Sequence, residues 1–453
     1  MNNKALWIAN PLAIHTNTHE DCRGGLVIRN GKIIETLAAG QHPTHFDEKF
    51  DASQHVVIPG LINTHHHFYQ TLTRALPAAL NKELFPWLQT LYPVWAGLEP
   101  EMLHQATRLA LTELLLSGCT TAADHHYLFP QTFPNAIDVQ VQAAQEVGIR
   151  VTLTRGSMSL GKDNGGLPPQ HVVQTEDEIM ADSERLISLY HDASEGSMVQ
   201  IALAPCSPFS VTRDIMIASA ELAQKHHVRL HTHLAETLDE EAFCEKMFGL
   251  RTVDYLESVN WLNNRTWLAH GIHFDASEIQ RLGRAGVGIC HCPSSNMMLA
   301  SGICPVKDLE AAGSPVGIGV DGSASNDCSN LIQEARQAMY LQRLKYGSSN
   351  VTHKDALRWA TQGSAAVLGR ADVGTLAVGK QADLALFTLD ELRFSGSHDP
   401  LAALLLCGAH KADYVMVAGQ WKVQHGEIPG LDIRQLRASH QHAANALAAK
   451  ALA

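Results

Sequence analysis

An α/β protein, a (β/α)₈ TIM-type barrel carrying a small β domain built from both chain ends, is predicted by two observations. Short apolar strands alternate with helical stretches eight times through the middle of the chain, and strand-rich segments lie at both ends. The eight strand candidates are 61–64, 120–124, 150–154, 199–204, 228–233, 266–270, 288–291 and 316–321. Helical stretches such as 101–116, 214–225 and 354–368 separate them, and Thr352 with Asp355 makes a capping box for the last. Repeated alternation over this length favours a closed barrel over an open sheet.

At the N-terminal end, Ala5–Ile8 and Gly25–Arg29 read as strands. Asn30-Gly31, set between Leu26-Val27-Ile28 and Lys32-Ile33-Ile34, is a hairpin signal. The pattern returns in Asp383–Phe387 and in Tyr414–Val417, which turns at Ala418-Gly419 into Trp421-Lys422-Val423. The expected organisation is therefore a β domain from 1–58 and 376–430, a barrel over 59–375, and a surface helix over 431–453.

Composition bounds the function. The chain has 453 residues, beyond the roughly 250–300 of a single core, with 45% hydrophobic and 18% charged residues. A net charge of −12 without a basic run makes a nucleic acid polymer a poor partner, whereas an uncharged free base is compatible. The nine cysteines form no CxxC pair, so neither a disulfide framework nor a zinc ribbon is expected. The N-terminus lacks a signal-peptide pattern, and no run approaches the roughly 18–20 apolar residues of a membrane span. A cytoplasmic protein without membrane attachment is expected, and assembly into a homo-oligomer stays open.

Barrel chemistry sits at the C-terminal tips of the strands. The first strand runs into His65-His66-His67, and alternation puts His65 and His67 on one face with His66 away from it. Further strands end at His233, His270, His291 and Asp321. Packing alone would place Val, Ile and Leu there, so a metal site is the better reading.

Five stretches, PGLINTHHH, HTHLAET, LAHGIHF, CHCPSSNMMLASG and GVDGSASND, resemble in order the deaminase branch of the amidohydrolase superfamily, which includes guanine, adenosylhomocysteine and triazine-type enzymes. The resemblance implies that His65, His67, His233 and Asp321 hold one divalent metal, zinc first and iron second. It implies Glu236 as proton shuttle, His270 as the group that polarises the substrate or steadies the attacking hydroxide, and a β-sandwich for the terminal domain. Asp321 would take the proton of the attacking water. Two-metal members carry a lysine on strand four, absent from Val199–Cys206, which favours a single metal. The other zinc deaminase class needs P-C-x-x-C, and Pro205-Cys206 has no second cysteine after it.

Gln70 stands where guanine deaminases carry a purine-contacting glutamine, so Gln70, Glu236 and His270 are expected at the substrate. HHHFYQTLTRALP and TAADHHYLFP narrow the resemblance to members acting on 8-oxoguanine. The expected reaction is hydrolytic deamination of a free purine, 8-oxoguanine to urate and ammonia, with guanine and isocytosine as weaker or related substrates. The alternatives are a plain guanine deaminase and a triazine-type amino- or chlorohydrolase. Met298 replaces a basic residue of related motifs, which disfavours nucleosides and anions. Tyr69, Trp87, Tyr127, His273 and Asn326 are expected near the mouth. A non-catalytic scaffold would have lost part of this set, and all of it is present.

Overall fold

The computed structural model describes residues 4–450, so three residues of each terminal segment lie outside the described residues. Eight parallel strands close into a barrel: β1 (Leu61–Asn63), β2 (Cys119–His126), β3 (Arg150–Ser157), β4 (Val199–Pro205), β5 (Leu230–Leu234), β6 (Thr266–His270), β7 (Gly288–His291) and β8 (Val316–Ile318). The closing pair is Ile318 beside Asn63. All eight were legible as alternating apolar segments, with their ends displaced by a few residues.

The displacement matters at β1 and β8, which stop before their functional residues. Beyond Ile318 the ladder gives way to single bonds: Val320 N–H donates to the Asn63 side chain at 2.9 Å, and Asp321 N–H to the His65 carbonyl at 3.1 Å. Asp321 itself is left-handed, with φ of 62°, a conformation no strand contains.

Two further sheets come from the chain ends. One orders Lys32–Leu37, Gly25–Arg29, Leu6–Ala9 and Glu48–Asp51; the other orders Gln420–Val423, Tyr414–Val417, Leu384–Thr388, His55–Pro59 and Ala13–Ile14. His55–Pro59 pairs antiparallel with Leu384–Thr388, which joins the two termini. The expected hairpin is present, with Asn30 and Gly31 both at positive φ (52° and 79°), as a two-residue primed turn requires. The strands Ala13–Ile14, Glu48–Asp51 and His55–Pro59 lay outside the sequence reading. Gly60 then leads into β1, where a Cβ would stand 2.1 Å from the Thr120 hydroxyl.

Arg150 on β3 ties the barrel to the terminal sheet. Its guanidinium meets Asp383 twice, at 3.1 and 3.2 Å, in a buried pair, and donates to the carbonyls of Gly196 and Ser197. The capping box of Thr352 and Asp355 is formed, but the helix it opens is broken by a wider turn at Trp359–Gly363, where Ser364 Oγ donates to the Trp359 carbonyl. The tail is a helix, Ile433–Lys450. All nine cysteines are free thiols, and among the described residues no helix is long and apolar enough to cross a membrane.

Candidate active site

The residues expected at the strand tips converge. Asp321 Oδ1 lies 3.2 Å from His65 Nε2 and 3.3 Å from His67 Nε2, and His67 Nε2 lies 3.2 Å from His233 Nε2. All four side chains are buried.

Hydrogen-bond partners fix which ring nitrogens carry protons. His67 Nδ1 faces the His125 carbonyl at 2.7 Å and His233 Nδ1 the Cys206 carbonyl at 2.7 Å. A carbonyl only accepts, so both Nδ1 atoms are N–H, and in the neutral ring Nε2 is left as the lone-pair atom. His65 is set through a relay. His231 Nδ1 donates to the Trp267 carbonyl at 2.9 Å, leaving His231 Nε2 to accept from His65 Nδ1 at 2.8 Å. His65 Nε2 is then also bare, and it is a buried atom without a hydrogen-bond partner. Burial pushes His65, His231 and His233 well below the usual imidazole range, which keeps them neutral. Imidazole lone pairs gathered beside a carboxylate repel it unless a cation sits among them. The donor set fits a borderline divalent metal.

Beside this cluster lie His270 and Glu236. His270 ends β6 at a φ of 70°, with Nε2 3.4 Å from Glu236 Oε2 and 3.9 Å from Asp321 Oδ2. Burial lowers the His270 pKa, but the two carboxylates outweigh it and raise the group above the usual range. Burial likewise raises Glu236. Burial also pushes up Asp321, yet His65 and His67 hold it well below the carboxylate range. Ala235, at φ 55°, turns the chain so that Glu236 points back at the cluster. Three non-glycine residues at positive φ, Ala235, His270 and Asp321, thus stand at the tips of β5, β6 and β8, a clustering of backbone strain typical of functional sites.

The frame around the site was less legible. Glu240 accepts the backbone N–H groups of Ala235 and Glu236 at 2.9 and 3.1 Å, its carboxyl pushed up to about 7 by burial. Ser301 Oγ donates to Glu236 Oε1 at 3.2 Å, and His270 Nδ1 meets Asn296 Oδ1 at 2.9 Å. His125 joins the histidine cluster, its ring 4.7 Å from that of His233. His231 had a signal that went unused: it and His233 form an HxH pair on one strand face, as His65 and His67 do.

A narrow cleft opens over the cluster, lined by Gln70, Glu236, His270 and Asp321 among others. Gln70 Oε1 is buried without a partner, and at Gly322 a Cβ would fall 1.8 Å from it, so the GVDG motif needs its glycine there. Of the residues expected near the mouth, Trp87 and Tyr127 line the cleft. His273 instead bonds the Ser301 carbonyl, Asn326 bonds the Val320 carbonyl and Glu334, and Tyr69 packs at 5.3 Å on Trp95. His66 turns away to Ser329, at 2.8 Å. Met298 is exposed and its neighbour Leu299 lines the cleft.

A closed parallel barrel with histidines and an aspartate gathered at its strand tips is the architecture of a metal-dependent hydrolase. Residues 56–423 match the amidohydrolase family, and the chain belongs to it. It is 68% identical to 8-oxoguanine deaminase of Pseudomonas aeruginosa, over 98% of this chain and 99% of that protein. It is 35% identical to an isoxanthopterin deaminase from an unknown prokaryotic organism, over 90% and 88% of the two chains. Among solved structures, atrazine chlorohydrolase from Arthrobacter aurescens TC1 complexed with zinc superposes with a TM-score of 0.91 at 32% identity, covering 97% and 100% of the chains.

Proposed function

We propose that this enzyme deaminates a free purine, 8-oxoguanine, at C2 to give urate and ammonia, with guanine and isocytosine as weaker or related substrates. The observation that carries the hydrolytic reading is the meeting of His65 and His67 Nε2 at Asp321, with His233 Nε2 beside that of His67. These four residues would hold one divalent metal, zinc or iron. When bound, the metal acts as a Lewis acid and lowers the pKa of water from about 15.7 toward about 7.

Asp321 takes a proton from the attacking water. Glu236, kept protonable by burial, gives a proton to the ring nitrogen beside C2 as the new C–O bond forms. His270, set between Glu236 and Asp321, polarises the substrate or steadies the attacking hydroxide. The tetrahedral C2 then expels its amino group, which takes the proton held by Asp321 and leaves as ammonia, while the C2 hydroxyl gives its proton back to Glu236 as the carbonyl forms. Gln70 meets the base with its unpaired amide oxygen. The identity to the Pseudomonas enzyme supports 8-oxoguanine as the substrate.

The deciding experiment is kcat/KM for 8-oxoguanine, guanine and isocytosine by ammonia release. The reading expects 8-oxoguanine ahead of guanine. Guanine equal or better returns the chain to guanine deamination, and no ammonia from either purine leaves a triazine-type reaction.

We further propose that the two terminal sheets form one small β-sandwich domain, over 1–58 and 376–430, beside a barrel of 59–375 and a C-terminal helix of 431–453. An apolar cluster shared by Ile8, Leu26 and Ile28 of one sheet and Val57, Leu384 and Met416 of the other supports it. A cytoplasmic location agrees with nine free thiols.

A further inference from the structure

The cleft has two chemically different walls. Glu236, His270, Asp321 and Gln70 form one, at the strand tips. The helix Leu84–Trp95 forms the other, presenting Leu84, Trp87, Leu88 and Tyr92. The amidine edge of a base must lie against the first wall, where the groups that attack and protonate it stand. A flat bicyclic base then sends its five-membered ring toward the helix.

On that largely apolar helix wall the Tyr92 hydroxyl is a buried polar group. It is fully buried and has no hydrogen-bond partner. The ring cannot swing away to find one. It packs edge-on against Trp95 at 6.0 Å, and Trp95 is held in turn by Trp87 at 5.5 Å and by a bond from its indole N–H to Thr73 Oγ1 at 3.1 Å. Tyr127, by contrast, lies 5.2 Å from the His67 ring and belongs to the hydrolytic wall. A buried, unpaired hydroxyl on a side chain that lines a cleft is costly unless a ligand supplies the missing partner.

Resting on the 8-oxoguanine reading, we infer that the Tyr92 hydroxyl is a specificity-determining contact that donates a hydrogen bond to the C8 oxygen of the bound base. Guanine presents only a C–H at C8 and leaves the hydroxyl unsatisfied. Isocytosine has the same amidine edge but no second ring, so it never reaches Tyr92.

The test compares metal-loaded wild type with Tyr92→Phe on all three substrates. The expected result is a fall of about 10- to 100-fold in kcat/KM for 8-oxoguanine, mostly through KM, with isocytosine unchanged within about twofold. A parallel fall on all three substrates, or no fall on any, overturns the inference. If Tyr92→Phe does not fold, wild-type inhibition by urate and xanthine, which differ only at N7 and C8, replaces it. Urate should bind at least about tenfold tighter, and equal binding overturns the inference. Failure of the two readings is distinguishable. Wild type inactive on both purines removes both, whereas wild type active on 8-oxoguanine with an unmoved substrate ratio in Tyr92→Phe removes only the role of Tyr92.

Discussion

His231 stands behind His65, its Nε2 accepting from His65 Nδ1 at 2.8 Å while its own Nδ1 donates to the Trp267 carbonyl. This relay gives His65 the tautomer whose Nε2 lone pair faces Asp321. Outer partners of this kind tune metal affinity. His231→Ala should weaken metal binding by about 10- to 100-fold in chelator competition. Unchanged affinity would show that something else orients His65.

The site should hold one metal per chain. Elemental analysis of fully active enzyme that finds two equivalents would sink this. Asp321→Asn removes a candidate ligand and the acceptor for the water proton together, so kcat should fall by more than the roughly 100- to 10,000-fold of losing one acid–base group.

Glu236→Gln should abolish turnover and leave the metal bound. Glutamine keeps the contact with Ser301 but cannot carry the proton. A variant that lost its metal, or kept near-normal kcat, would contradict the assigned role.

Arg150 and Asp383 form a buried pair between the barrel and the terminal sheet. Asp383→Ala strands the guanidinium and frees the Ala418 N–H that Asp383 accepts at 2.7 Å. Stability should drop by about 3–5 kcal/mol in denaturant titration. A loss below about 1 kcal/mol would mean that water replaces the carboxylate.

Burial pushes His126 and His291 down to about 3. In the unfolded chain both titrate near about 6.5. Between these values the unfolded state binds more protons, so the stability they contribute is complete above about pH 6.5 and is lost as the pH falls toward 3. Thermal unfolding should shift downward from pH 7 to pH 5, and His291→Gln should flatten that slope. An unaltered slope would exclude His291 as a contributor.

Much of the fold was written in local pattern. Apolar alternation marks the eight barrel strands, and the Asn30-Gly31 hairpin and the Thr352–Asp355 capping box follow from short-range chemistry. The candidate ligands were equally legible, because a histidine or aspartate at a strand tip violates the packing rule that governs its neighbours.

The sequence alone therefore determined the barrel, the joined termini and the identities of His65, His67, His233, Glu236, His270 and Asp321. Tertiary structure alone decided what those residues can do. Which nitrogen of each imidazole is bare depends on carbonyls of His125, Cys206 and Trp267, contributed by other strands. Glu236 is aimed by Glu240 and by the positive φ of Ala235. Tyr92 lies on a helix whose apolar spacing reads as core, and only the closing of that helix over the strand tips makes its side chain line the cleft with a buried, unpaired hydroxyl. Local propensity encodes elements, but lone-pair direction and unsatisfied polar atoms are properties of contacts between residues far apart in the chain.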